Sequence, residues 1–184
     1  MLLPFAGWAV TGAIFFIRPG YGAAYEQLSV KKYPLDKTLA VSPDPACLEV
    51  RYLKTILGEH LLVRNTDGWK HLDPLSRSVR PAPAESEFRA LMSDAFIANP
   101  ARYGQIVSVD GPVAATETGV RATLSWNRLT ISQRGKDTDR IDTLYKIHYL
   151  QWTGVPGIDK VAGAVSLVSI LILSGLGLRL FLRA

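Results

Sequence analysis

Apolar and polar positions are distributed unevenly along this chain. Residues 1–17, MLLPFAGWAVTGAIFFI, carry no charged side chain, and residues 161–178, VAGAVSLVSILILSGLGL, form a second uncharged run that continues past Arg179 into Leu180, Phe181 and Leu182. A helix needs about 20 mainly apolar residues to cross a hydrocarbon core, with a working range from about 17. The second run meets that length, with Lys160 and Arg179 placed to snorkel at its ends. Its rival, a buried helix of a soluble core, would be expected to show a polar face, and the run has none. The first run is shorter and reads either as a span or as a cleaved signal peptide. Nothing basic precedes its apolar core, which favours an uncleaved span, while Gly22-Ala23-Ala24 offers a small-residue cleavage site. Two spans would place both termini on one side of the membrane and residues 19–157 on the other.

Between the runs the pattern changes to short strands and amphipathic helices. Pro19, Pro34, Pro43 and Pro45 with intervening charges make 19–46 an irregular connection, with a short helix around Ala23–Leu28 as one option. Residues 48–57, LEVRYLKTIL, read as a strand, Gly58 punctuates, His60–Arg64 makes a second strand, and Asp67-Gly68 turns the chain before Trp69. Asp73-Pro74 ends this unit. Residues 84–98 carry a helical stripe of Phe88, Leu91, Met92, Ala95 and Phe96 at i, i+3, i+4, i+7 and i+8. Glu85 and Glu87 favour its first turn and Asn99-Pro100 stops it. Strand signals return at Gln105–Val109, before a turn at Asp110-Gly111-Pro112. They return again at Val120–Trp126, where Val120, Ala122, Leu124 and Trp126 share a face. The phase shifts at Leu129 and Ile131, placing a turn at Asn127-Arg128. Two strand groups around one amphipathic helix describe a small α+β domain over 47–140.

Residues 141–152, IDTLYKIHYLQW, form a helical stripe of Ile141, Leu144, Tyr145, His148 and Trp152. Tyr145, Tyr149 and Trp152 suit the aromatic belt of a membrane interface. Thr153-Gly154 and Pro156-Gly157 break the helix before the second run. The segments are therefore a first span at 1–18, the connection at 19–46, the domain at 47–140, an interfacial helix and break at 141–157, and a second span at 158–182.

Composition changes the picture only when it is located. The chain has 184 residues, a formal net charge of +5 and a mean hydropathy of +0.13. From 19 to 158 there are 17 basic and 15 acidic side chains, so most of the excess comes from Arg18, Lys160, Arg179 and Arg183 beside the apolar runs. No basic block or basic-aromatic stripe marks a nucleic-acid footprint, and that class is rejected. Arg179 and Arg183 favour a cytoplasmic C-terminus, but Arg18, Lys31, Lys32 and Lys146 flank the runs on the other side. Residue counting leaves orientation open. The single cysteine, Cys47, excludes an intrachain disulfide framework and a cysteine metal cluster.

Candidate chemistry is sparse. There is no nucleophile elbow, HExxH, glycine-rich phosphate loop or CxxC in the sequence. His148, expected at the interface on the inward face, is either a polar interfacial residue or a haem or metal ligand. The first run holds no His, Cys or Tyr to serve as a second axial ligand, and its only Met is Met1. His60 and His71 lack i, i+4 spacing and read as solvated polar residues. Met92 reads as a packing residue. Asp137, Asp139 and Asp142 are balanced by Arg134, Lys136 and Arg140 and read as a solvated loop.

The segment YKIHYLQWTGVPGIDKVAGAVSLVSILILSGLGLRLFLR resembles the C-terminal membrane segment of PepSY-associated transmembrane proteins. The family pattern is matched by His148, Thr153-Gly154, Gly157, Ser174-Gly175 and Arg179 with Arg183. WAVTGAIFFIRPG, with Thr11-Gly12, resembles the end of that family's first span. LEVRYLKTILGEHLLVRNTDGWKHLDP resembles the strand-turn-strand part of a PepSY-like domain. The His-Arg-Trp-like stretch that usually opens the family's first span has no counterpart in the residues present. The resemblance implies an α+β fold in which a small PepSY-like strand and helix domain is inserted between two transmembrane helices. It further implies a bacterial inner-membrane protein with a periplasmic central domain and a cytoplasmic C-terminus.

The expected function is thus a two-span membrane protein presenting a PepSY-like binding or accessory domain. One alternative, implied by the resemblance, is haem-dependent electron transfer assisting reduction of ferric iron or siderophores, with haem b held by His148. Another is a structural subunit of a membrane assembly, since Ala162 and Ser166 form a small-xxx-small pair. The expected partners are the lipid bilayer, contacted through Tyr145, Tyr149, Trp152, Lys160, Arg179 and Arg183, and a second copy or a membrane protein.

Overall fold

The computed structural model describes residues 2–38 and 46–183, with side chains from Ala6 onward. The stretch of the predicted connection that holds Pro43 and Pro45 lies outside the described residues. The chain divides into two compact units, one formed by residues 23–136 and the other by 1–22 with 137–184. The helices α1 (Leu2–Ile17) and α2 (Tyr21–Ala24) open the chain, and Arg18 between them takes a left-handed φ of 52° that ends α1.

In the unit of residues 23–136, β1 (Glu49–Thr55), β2 (Gly58–Asn65) and β3 (Gly68–Leu72) form an antiparallel meander in the order β1-β2-β3. The first strand stops at Thr55, short of the predicted 57. Thr55 pairs with Gly58, so Ile56 and Leu57 become a two-residue turn in which the Leu57 N–H donates to Thr55 Oγ1 at 3.1 Å. The second turn places Gly68 opposite Asn65 with a φ of 119°, which only glycine adopts without strain. Asp73 closes the meander, its Oδ1 accepting from the backbone of Leu75 and Ser76.

Helix α3 (Glu85–Phe96) buries Phe88, Leu91, Met92, Ala95 and Phe96, the predicted stripe, and Asp94 in addition. At its start the Ala84 N–H donates to Glu87, and at its end Asn99 caps the one-turn helix α4 (Pro100–Tyr103) through the Arg102 N–H. A second antiparallel sheet follows, β4 (Ile106–Asp110), β5 (Val113–Thr116), β6 (Arg121–Ser125) and β7 (Thr130–Arg134), in sequence order. Strand β5 is not signalled by the sequence reading, because Val-Ala-Ala-Thr is short and offers two small residues. Alternation on β6 is as read: Ala122 and Leu124 are buried, and Ile131 continues the face on β7. The turn between them occupies 126–129 and uses a left-handed Leu129 at φ 48°.

The apolar faces of α3 and the second sheet meet in one core with Leu62 of β2, Leu28 and Val30. Those last two come from the segment predicted as irregular. It runs extended instead, Ser29 bridging Thr130 of β7 and Tyr33 bridging Lys54 of β1, so it laces the two sheets together. Asp94 on α3 fastens it: its Oδ1 accepts from Tyr33 Oη at 2.8 Å and from Lys31 Nζ at 3.4 Å.

In the other unit, α5 (Lys136–His148) begins about five residues earlier than the predicted stripe. Asp137 and Asp139, expected in a solvated loop, occupy its first turn, where the helix dipole favours acids, and Asp142 is helical too. The helix ends at His148. Leu150, left-handed at φ 55°, is nevertheless buried. Helix α6 (Pro156–Phe181) follows after a break at the predicted Thr153-Gly154. Its 26 residues make it the one described helix long and apolar enough to cross a membrane, and its apolar stretch is not buried against the rest of the chain. Helix α1, at 16 residues, covers only about 24 Å at 1.5 Å per residue.

Candidate functional site

Three places concentrate polar chemistry. The first is a buried relay inside the unit of residues 23–136. His60 on β2 and His71 on β3 both have 0% exposure, which corrects their reading as solvated residues. They face each other across the sheet at 2.9 Å between His60 Nδ1 and His71 Nε2. His71 Nδ1 lies 2.9 Å from the Trp126 carbonyl, which can only accept, so Nδ1 carries the proton and Nε2 the lone pair. The other nitrogen of His60, Nε2, lies 2.7 Å from the Thr55 hydroxyl. The contacts run from Thr55 through His60 and His71 to Trp126.

Arg80 closes this relay on one side. Its Nη2 donates to the Leu57 carbonyl at 2.9 Å and its Nη1 donates to the Glu59 carbonyl at 2.5 Å. The same guanidinium stands 3.1 Å from His60 Nδ1. Burial first, then this positive charge, holds His60 far below the ordinary histidine range, at about 3. Burial also lowers His71, to about 4, although its bond to the Trp126 carbonyl acts in the opposite sense. Both rings are neutral and spend their nitrogens on partners, leaving no open coordination position. Among the described residues no group of three metal-ligating side chains is found. The relay is a structural tie between the two sheets, since Trp126 follows β6.

The second place is His148, the one sequence-predicted cofactor ligand. It lies at the end of α5 and packs on α1 within the same unit. Thr11 is buried and spends its only hydroxyl proton on the Gly7 carbonyl at 2.6 Å. Its oxygen is thereby left to accept from His148 Nδ1 at 2.9 Å, a contact that fixes the orientation of the ring. Phe15 meets the His148 ring edge-on at 5.0 Å, and Trp8 Nε1 donates to the His148 carbonyl. Ile147 packs where Gly7 leaves room for it, 3.6 Å from the position of an added Cβ. Nothing in the sequence pairs α5 with α1, because Thr11 and Trp8 look like isolated polar positions in an apolar run.

A haem b held within the chain by two axial ligands does not fit these residues. The chain has three histidines, and His60 and His71 are consumed by their own relay. Met92 is enclosed in the core at 0% exposure, and α1, α5 and α6 contain no Cys or Met in their described residues. Among the described residues His148 is the one histidine not consumed by the relay, and a second axial ligand would have to come from outside the described residues.

The third place is a groove of about 650 Å³ in the unit of residues 23–136, between the 24–32 segment, β1 and β7. Leu28, Val30, Leu53 and Ile131 give it an apolar floor, and its charged lining is Lys32, Arg51 and Arg128 with one acid, Glu26. Arg51 stacks on Trp69 at 4.6 Å and pairs with Glu49 at 2.7 Å, which orients its guanidinium. No sequence motif signals this groove, because its walls come from three distant segments.

Tyr145 stacks on Phe15 at 4.8 Å and lies parallel to Tyr149 at 6.0 Å. Tyr149 and Trp152 are 61% and 52% exposed, and Trp152 Nε1 donates to the Ile147 carbonyl at 3.1 Å. Lys160 is exposed near the start of α6, and Arg179 and Arg183 are exposed at its far end. No family model, curated protein or solved structure matches this chain.

Proposed function

We propose that this chain is a membrane-tethered binding protein, in which a PepSY-like domain is held at a bacterial inner membrane and presents its groove to an extended acidic partner on the periplasmic side. The observation that carries the reading is the groove itself: an apolar floor with a charged lining of Lys32, Arg51 and Arg128 against one acid, Glu26, in a unit with its own closed core. Apolar floors supply affinity and rim charges select and steer the partner. The tether is α6, whose length and composition suit a bilayer. Helix α1 is the proposed second span, its shortness relieved by Arg18 at its end.

Two measurements test this. In a Cys47→Ser background, Asp67→Cys and Arg183→Cys report on opposite sides of a two-span protein. A membrane-impermeant thiol reagent applied to spheroplasts should label the first and spare the second; equal labelling of both would overturn the two-span arrangement. A photocrosslinking residue at Lys32 should give a discrete adduct in membranes, while one at Asp67, on the β2–β3 turn, gives none. Absence of an adduct at Lys32 would end the binding role of the groove.

A second reading, haem-linked electron transfer, is favoured by the orientation of His148 alone, whose Nδ1 is held by the Thr11 hydroxyl. It requires a second axial ligand from outside the described residues. An absorption spectrum of protein expressed with ample haem, showing a Soret band that His148→Ala removes, would support it; no band would end it.

A further inference from the structure

Beside α6 the chain forms a cleft of about 760 Å³, enclosed by the end of α5, the 151–154 break and the first turns of α6. Its polar end holds Lys146 and Lys160, both exposed and neither in an ion pair among the described residues. Tyr149 and Trp152 form an aromatic wall. At the other end lie Gly163 and Ala164, whose small size opens a channel along the helix surface. Lys160, Gly163 and Ala164 are spaced at i, i+3 and i+4, so they form one stripe of α6. An atom added as Cβ on Gly163 would meet nothing within 4 Å, so the channel is open there.

Depth along α6 decides what such a cleft can hold. The uncharged run 161–178 spans about 27 Å at 1.5 Å per residue, close to the roughly 30 Å of a hydrocarbon core. With that run in the bilayer, Lys160 stands at headgroup level and Gly163 and Ala164 lie one turn inside the acyl region. The cleft therefore joins two cations in the headgroup layer to an apolar channel in the acyl layer. One carboxylate is present, Asp159, but it is largely buried and committed to the Thr153 N–H at 3.0 Å and hydroxyl at 2.8 Å.

We propose that this cleft is a binding site for an anionic glycerophospholipid, its phosphate between Lys146 and Lys160 and one acyl chain along Gly163 and Ala164. Lysine ammoniums recognise phosphate as point charges, and each basic residue near a membrane surface favours anionic lipid. The aromatic wall covers the glycerol backbone at the depth where Tyr and Trp favour the interface. The site rests on the tether reading of α6 and is independent of what the domain's groove binds.

The test is native mass spectrometry of the full chain, purified in neutral detergent and offered phosphatidylglycerol or phosphatidylcholine with matched acyl chains. One phosphatidylglycerol per chain should be retained in preference to phosphatidylcholine. Lys146→Gln with Lys160→Gln should lower that retention about tenfold. Gly163→Leu should lower it as well, by filling the channel with the charges intact. A charge-matched control, Lys70→Gln with Arg121→Gln, should leave retention unchanged, and thermal unfolding should show that all variants are folded. Equal retention of the two lipids, or retention untouched by the lysine pair, would overturn the site, as would retention of inorganic phosphate in place of lipid. Carbonate extraction separates the two ideas. A chain released by carbonate sinks the tether and the lipid site together, whereas an integral chain without lipid preference sinks the lipid site alone.

Discussion

Two histidines show how much a neighbourhood can change a side chain. In water an imidazole titrates near pH 6.5, but His60 and His71 sit at 0% exposure with every nitrogen bonded, held at about 3 and about 4. The unfolded chain therefore binds protons that the folded chain refuses, and stability falls as pH drops. Their contribution is fully present above about 6.5 and is lost progressively as pH falls towards the folded values. Denaturant midpoints measured from pH 7.5 down to 4 should decline in the wild type, and the decline should be shallower in a variant carrying His60→Gln and His71→Gln. An equal slope in both proteins would show that the pair does not control acid sensitivity. At pH 7.5, His71→Ala should cost roughly 2–4 kcal/mol, because it leaves a cavity and strips the Trp126 carbonyl and His60 Nδ1 of their partner.

At the level of elements, two helices with opposite demands test the reading of the pattern. Helix α3 contributes one stripe to the core, and Leu91 on it is completely enclosed. Leu91→Ala should destabilise the domain by about 3 kcal/mol, read from denaturant unfolding, with no change in membrane partition. Helix α6 makes the reverse prediction. Replacing Val168 and Ile172 by Arg adds roughly 3 kcal/mol each to the cost of crossing hydrocarbon. The chain should then shift to the carbonate-soluble fraction while its domain keeps its unfolding midpoint. Retention in the pellet would show that α6 is not what holds the chain at the membrane.

At the level of the molecule, the division into two units makes the domain separable. Residues 23–136 contain both sheets, α3, the relay and the segment that laces the sheets. A fragment of these residues should unfold in a single cooperative transition monitored by tryptophan fluorescence. Trp69 and Trp126 both pack against its core. Non-coincident fluorescence and circular dichroism transitions would show instead that the two sheets fold independently, and that the relay between them adds little.

What the sequence determined by itself is everything written in one local period. The stripe of α3, the alternation of β6, the turns at Gly68 and Gly111 and the length of α6 are legible because each depends on neighbours a few residues apart. The uncharged run at 161–178 is long and apolar enough to cross a membrane, and that is legible before any fold is known. What only the tertiary structure decided depends on partners far along the chain. His60 and His71 look solvated because nothing local predicts that Thr55, Arg80 and Trp126 will enclose them. The 25–34 segment looks irregular because its hydrogen bonds go to strands that follow it in the sequence, at Lys54 and Thr130. Thr11 looks like an incidental hydroxyl in an apolar helix until α5 brings His148 against it. Backbone periodicity is a short-range property, whereas the burial of a polar side chain is set by whichever distant groups can satisfy it, and only folding brings those groups together.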